Sequence, residues 1–298
     1  MRKRREIVEQ GFRELQGRII ADLEKADGKS RFGTDIWERP GGGGGITRLL
    51  TKGNIIEKGG VNFSAVFGAT PDAIRNAFQI GAEDFFASGV SIVIHPENPL
   101  VPIIHMNVRY FELSDGKAWF GGGIDLTPAY VVHEDGIEFH LALKEVCDQF
   151  NPEWYNRYKV NADHYFRIKH RNECRGIGGI FYDRLNASED KDFEELWNFS
   201  LAVGNTFAPI YTRLMKKYGN SPWNEKQKFW QLHRRSRYVE FNLVYDAGTK
   251  FGLETNGRTE SILMSMPPMA CWESNFTPEP GSDEEKSQQY FSNPVEWV

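Results

Sequence analysis

Three segments in close succession read as strands joined only by turns. GVSIVIHP (89–96) leads into the turn PENP, VPIIHMNVRYFEL (101–113) follows, and WFGGGIDL (119–126) comes next, interrupted by glycines. Links this short leave no room for a crossover helix, so such strands pair antiparallel. The rest of the chain repeats the theme. Ile46–Leu50 and Val61–Phe67 form a hairpin entered from a loop of five glycines, Gly41–Gly45. IGGIFYDRL is a further short strand, and 236–246, 249–254 and 259–266 read as a last meander whose first turn is DAGT.

Helices fall between these clusters rather than after every strand. Ile7, Phe12, Leu15, Ile19, Ile20 and Leu23 recur at helical spacing over Arg4–Glu24. Pro71 suits a helix start, with Gly89 as its stop. Residues 136–150 and 153–169 read as helices, and 190–218 as a long one strained or ended near Pro209. The polar stretch PEPGSDEEKSQQ reads as a loop before the terminal NPVEWV. The expected architecture is α+β: one domain, 1–298, with a large, mainly antiparallel sheet between helices, and not a doubly wound dinucleotide fold.

Composition narrows the function. A net charge of −5 disfavours nucleic-acid binding by bulk charge. No apolar run approaches a membrane span, and the basic N-terminus turns charged and helical without the apolar segment of a secretory signal. Cys147, Cys174 and Cys271 are scattered without a CxxC pair, which argues against a zinc ribbon or disulfide framework and for a reducing, cytoplasmic setting. Neither glycine run continues as GxGxxG or GxxxxGK[ST], and no GxSxG motif supports a hydrolase.

The strand VPIIHMNVRYFEL carries the most chemistry. Alternation puts His105, Asn107 and Arg109 on one face, where three polar groups are economical only if they line a polar pocket. Arg109 offers a forked donor set for a carboxylate, and His105 a proton near neutral pH. Ser91 and His95 repeat the pattern on the preceding strand. Gly121, Gly122 and Gly123 mark close approach of backbone or ligand, and Asp125 beside them could reach a ligand N–H or merely cap a bulge. His170, Arg171, Arg175, Arg234, Arg235, Arg237 and Arg258 sit near glycine turns, as local carboxylate sites or as ordinary surface arginines.

IHMNVRYFE, WFGGGIDLTPAY, HRNECRGIGGIFYDRL, RRSRYVEFNLVYDAGTKFGLETNGRTESILMSMPP and NPVEWV together resemble the oxygen-dependent coproporphyrinogen III oxidases, in order and over nearly the whole chain. That resemblance implies oxidative decarboxylation of the ring A and B propionates of coproporphyrinogen III to vinyl groups, giving protoporphyrinogen IX in haem biosynthesis. Dioxygen would be the co-substrate, with no flavin, haem or nicotinamide. It implies a homodimer through about Tyr238 to Pro268. Carried over residue by residue, Ser91, Asn107, Val108, Arg109, Asn256, Gly257 and Arg258 match substrate-binding positions, His105 a proton donor, and Asp125 an acid engaging pyrrole N–H groups. His95, His105, His140 and His170 match positions sometimes given to a metal, although their spacing forms no compact ligand motif and activity without added metal is expected. The chain departs from the family pattern at Ala118 (for Trp), Cys174 (for a basic residue), Arg184 (for Asp), Ser236 (for Gly) and Ala247 (for Arg). A non-catalytic tetrapyrrole carrier is the alternative use of the same basic pocket; it would consume no oxygen.

Overall fold

The computed structural model describes residues 2–70, 75, 81, 84–254 and 257–298. Strands β1 (Gly33–Glu38), β2 (Gly43–Thr51), β3 (Ile56–Ala69), β4 (Asp84–Pro96), β5 (Ile103–Leu113) and β6 (Ala118–Thr127) lie side by side in chain order. β7 (Arg167–Ile168) and β8 (Glu173–Cys174) form a separate ribbon, and β9 (Gly179–Asn186) completes a seven-stranded antiparallel sheet beside β6. The α+β expectation holds. The Gly43–Gly45 part of the glycine run belongs to β2 itself, paired with β1, a strand the sequence reading missed. The helix expected from Pro71 lies largely outside the described residues, but Gly89 does not stop it: Gly89 sits within β4, opposite Arg109 of β5.

Alternation divides the sheet into two unlike faces. On one, Val90, Ile92 and Ile94 of β4 and Ile104, Met106, Val108 and Tyr110 of β5 are fully buried. They share a core with helix α1 (Arg2–Asp27) and with α2 (His133–Asp148), α3 (Trp154–Tyr165) and α4 (Asp190–Tyr218). α1 presents Val8, Phe12, Leu15, Ile19, Ile20 and Leu23; Val8 takes the place expected for Ile7, which is exposed. Burying side chains of this size stabilises by roughly 1.5–3 kcal/mol each. α4 runs through Pro209 without ending. Asn205, whose carbonyl loses its partner to the missing N–H, and Pro209 are both exposed, so water can satisfy that group.

The other face is roofed by α5 (Glu225–Val244), α6 (Ala247–Glu254) and α7 (Thr259–Leu263). Here the expected C-terminal meander is overturned: 236–246, 249–254 and 259–266 are mainly helical, and the expected DAGT hairpin turn opens α6. SRYVEFNLV is rich in aromatic and branched residues and fits either period. The helical stripe is disguised because two of its buried members, Arg234 and Arg235, are charged. They pair with Glu173 at 3.0 Å and Glu57 at 2.6 Å. A capping box of Asn224 and Gln227 starts the helix. The polar C-terminal stretch likewise holds a helix, α8 (Asp283–Ser292), capped by Ser282.

Candidate active site

The partly open strip on the roofed face follows from the register. Arg109 lies between Gly89 on β4 and Gly121 on β6, Asn107 between Ser91 and Gly123, and His105 between Val93 and Asp125. The two glycines flanking Arg109 keep space clear, at Gly121 against the ends of side chains and at Gly89 against backbone. A Cβ on Gly121 would sit 2.6 Å from Asp183 Oδ1 and 2.8 Å from Arg109 Nη2, and one on Gly89 would sit 2.6 Å from the Val108 carbonyl. The result is a smooth floor over which one long cation lies. Asn107 Oδ1 accepts from Arg109 Nη1 at 2.9 Å, and Asp183 Oδ1 accepts from Nη2 at 2.7 Å. Phe111 and Trp119 stack at 4.6 Å, and Phe85 and Phe111 at 5.7 Å, so the same face ends in an aromatic row.

Towards the other end of β5 lies a buried charged triad. His105 Nδ1 and Asp125 Oδ1 are 2.8 Å apart, and Arg175 Nη2 donates to both Asp125 oxygens at 2.8 Å. Arg175 Nη1 donates to Asn242 Oδ1 at 2.6 Å, and its guanidinium packs over Phe166, Tyr238 and Phe241. Burial works to raise the Asp125 carboxyl, but the Arg175 charge and the His105 bond outweigh it, and the net position is below the ordinary carboxylate value. Burial likewise works against the Arg175 cation, and the Asp125 charge reverses the outcome. His105 alone of the three is partly exposed, with its side chain 20% exposed against 2% for Asp125. With Nδ1 donating to a carboxylate, Nε2 is the nitrogen left for proton exchange.

The Asp125 oxygens are both engaged within the protein, by Arg175 and His105. Val108 turns its side chain into the opposite core, so only its backbone borders the strip. Gly257 donates its N–H to the Gly252 carbonyl in the turn before Arg258, while Asn256 lies outside the described residues. Arg258 donates to Asp35 of β1 and, at 3.4 Å, to Ser261 Oγ. α7 is held on the sheet by Asn62 Nδ2, which donates to the Ser261 carbonyl at 2.8 Å, and by the Thr47–Ser261 hydroxyl pair at 2.9 Å.

The four histidines matched to a metal are not brought together. His95 is fully buried, bonded through Nε2 to the Ser265 carbonyl, and held well below the usual histidine value by burial and the Arg235 charge. His140 lies between the Tyr155 hydroxyl and the Ile177 carbonyl and is pushed down to about 3 by burial. His170 bonds to Glu240 and Tyr245 near the surface. Among the described residues no cluster of three or more His, Cys, Asp or Glu side chains could hold a metal ion.

Arg175 was legible in the sequence only as one arginine among several beside glycines. The signal was the GIGG that follows it. A Cβ on Gly176 would lie 2.2 Å from the Leu126 carbonyl, and one on Gly179, at φ +157°, 2.0 Å from that of Ile124. These glycines let the backbone enter β9 hard against β6 and deliver Arg175 beneath Asp125. Asp183 and Asp35 had no signal. Of the departures, Ser236 bonds its hydroxyl to the His233 carbonyl, and Cys174 and Ala118 are buried.

A model of the coproporphyrinogen III oxidase family matches residues 7–297. An oxygen-dependent coproporphyrinogen-III oxidase of Coxiella burnetii is 48% identical over 308 residues, covering 100% of this chain and 98% of that protein. Chloroplastic proteins of the same name from Glycine max and Hordeum vulgare are 49% and 48% identical, covering 97% and 99% of this chain and 78% and 80% of theirs.

Proposed function

The chain belongs to the coproporphyrinogen III oxidase family, and on that premise we propose how its groove performs the reaction. It is an oxygen-dependent oxidoreductase that oxidatively decarboxylates coproporphyrinogen III in haem biosynthesis. The observation that carries the reading is the joining of the Arg109 strip to the His105–Asp125–Arg175 triad on one sheet face. For each propionate, on rings A and B, the balance is R–CH2–CH2–COO⁻ + O2 + H⁺ → R–CH=CH2 + CO2 + H2O2. The electron-rich pyrrole reduces dioxygen, and the resulting peroxide takes the hydrogen beside the ring as carbon dioxide leaves.

The protein supplies orientation and charge placement. Arg109 clamps a propionate by its fork, with Asn107 and Ser91 beside it and Gly257 and Arg258 at the far rim. His105 exchanges a proton through Nε2 and supplies the one that leaves with the peroxide. Asp125 acts through His105, holding its Nδ1–H and so orienting the ring, rather than by touching the pyrrole N–H groups. We propose no resident organic cofactor and no required metal. We also propose one domain, 1–298, in a cytoplasmic homodimer. Leu243, Val244 and Leu253, exposed by 41–49% within the 238–268 segment, support the dimer, to be checked by sedimentation. Among the described residues no helix is long and apolar enough to cross a membrane.

The test is an oxygen electrode with coproporphyrinogen III, read with protoporphyrin fluorescence after oxidation. Turnover should consume one dioxygen per propionate lost, and Asp125→Ala, less stable because it strands the buried Arg175 charge, should lower turnover of the folded fraction about 10²–10³-fold. Substrate binding without oxygen uptake would replace the enzyme by a carrier, and near-normal turnover in folded Asp125→Ala would remove Asp125 from the mechanism.

A further inference from the structure

We infer that Asp183 and Asp35 are stand-ins for the substrate's own carboxylates, each holding one arginine of the groove and yielding it when a propionate arrives. The inference rests on reading the groove as the site of a tetracarboxylate macrocycle. It explains why both arginines assigned to the rim are already paired. Arg109 donates to Asp183 at 2.7 Å, and Arg258 donates to Asp35. The two acids come from the opposite edge strands of the sheet, β9 and β1, so the pairs bracket the groove.

Exposure separates these pairs from the one in the triad. The Asp183 and Asp35 side chains are 42% and 53% exposed, whereas Arg175 and Asp125 are both 2% exposed. A half-exposed ion pair is weak and cheaply exchanged for another carboxylate, while a buried pair cannot be opened without stranding a charge. Gly121 makes the exchange geometrically simple. The Asp183 carboxylate and the Arg109 guanidinium both lie over the bare Cα of Gly121, so a propionate can take the space Asp183 leaves. Asn107 keeps its 2.9 Å bond to the other arm of the guanidinium and holds the fork level during the exchange. Asp183 thus positions Arg109 while competing with the ligand for it. Removing its charge should tighten binding, the opposite of what a residue needed only for structure would do.

The experiment titrates the full-length protein with coproporphyrin III, the stable tetracarboxylate, by fluorescence. Asp183→Asn and Asp35→Asn should each lower Kd by about two- to five-fold, the range an exposed ion pair commands. KM for coproporphyrinogen should fall with it. In an Arg109→Gln background the gain from Asp183→Asn should vanish. Unchanged or weaker binding by folded Asp183→Asn overturns the inference. So does a gain that persists without Arg109, which would mark simple removal of a negative charge. If wild type binds no coproporphyrin, the macrocycle reading of the groove fails and the inference falls with it. Where Asp183→Asn does not fold, Asp35→Asn on the other edge decides.

Discussion

Replacing Arg175 by Met tests the buried triad. Methionine refills much of the space among Phe166, Tyr238 and Phe241 but removes the charge, leaving Asp125 buried with His105 as its remaining partner. At 2.8 Å the Arg175–Asp125 attraction is ~6 kcal/mol at an effective dielectric of 20. Net of desolvation, breaking such a pair from one side costs about 3–5 kcal/mol. Asn242 Oδ1 also loses the donor that reaches it at 2.6 Å. The pH dependence identifies the cause. In wild type the folded Asp125 value is depressed, so its contribution is complete above the unfolded value near ~4 and is lost as pH falls through the lower folded value. In the variant, burial is opposed only by His105, and the folded value rises above the unfolded one. The folded state then binds more protons, and stability falls as pH rises above ~4. Urea unfolding at acidic and neutral pH, with m-values compared, should show a larger loss at pH 7.5 than at pH 4.5. A pH-independent loss, or one under about 1 kcal/mol at pH 7.5, would refute the reasoning.

Arg109→Lys keeps the charge but loses the fork, so it should fold normally, raise KM and lower kcat; steady-state constants near wild type would show that Arg109 serves only Asp183. Gly121→Ala and Gly89→Ala should separate function from folding. The first meets the ends of two mobile side chains and should raise KM at nearly unchanged melting temperature, while the second meets the Val108 carbonyl and should cost about 1–3 kcal/mol of stability by chemical denaturation. Extensive dialysis against chelator should leave activity intact and elemental analysis should find sub-stoichiometric copper, iron and manganese; loss restored by one specific metal would overturn the proposal that none is required.

The central meander was legible because its signals are local. Period-two alternation in IIHMNVRYFEL and turn residues between strands specify β4 to β6, and alternation alone puts His105, Asn107 and Arg109 on one face. The family was legible for the same reason, since its motifs are contiguous. Sequence also pointed to Asp125, but not to its partners. Arg175 lies fifty residues away in sequence, and only the approach of β9 to β6, permitted by Gly176 and Gly179, brings it to 2.8 Å. That approach buries the Asp125 carboxylate between Arg175 and His105.

The errors share a cause. The segment 236–246 has a composition that suits a strand, yet most of it continues a helix whose buried Arg234 and Arg235 pair with Glu173 and Glu57, contacts invisible to local pattern. Asp35 and Asp183 are unremarked acids until the sheet order puts them at its two edges beside the arginines. Sequence by itself thus determined that β4, β5 and β6 pair in succession, which face of β5 is chemical and what family the chain resembles. Tertiary structure alone decided which charges are buried as permanent pairs and which remain exchangeable, because that depends on desolvation, a property of how distant segments close over one another.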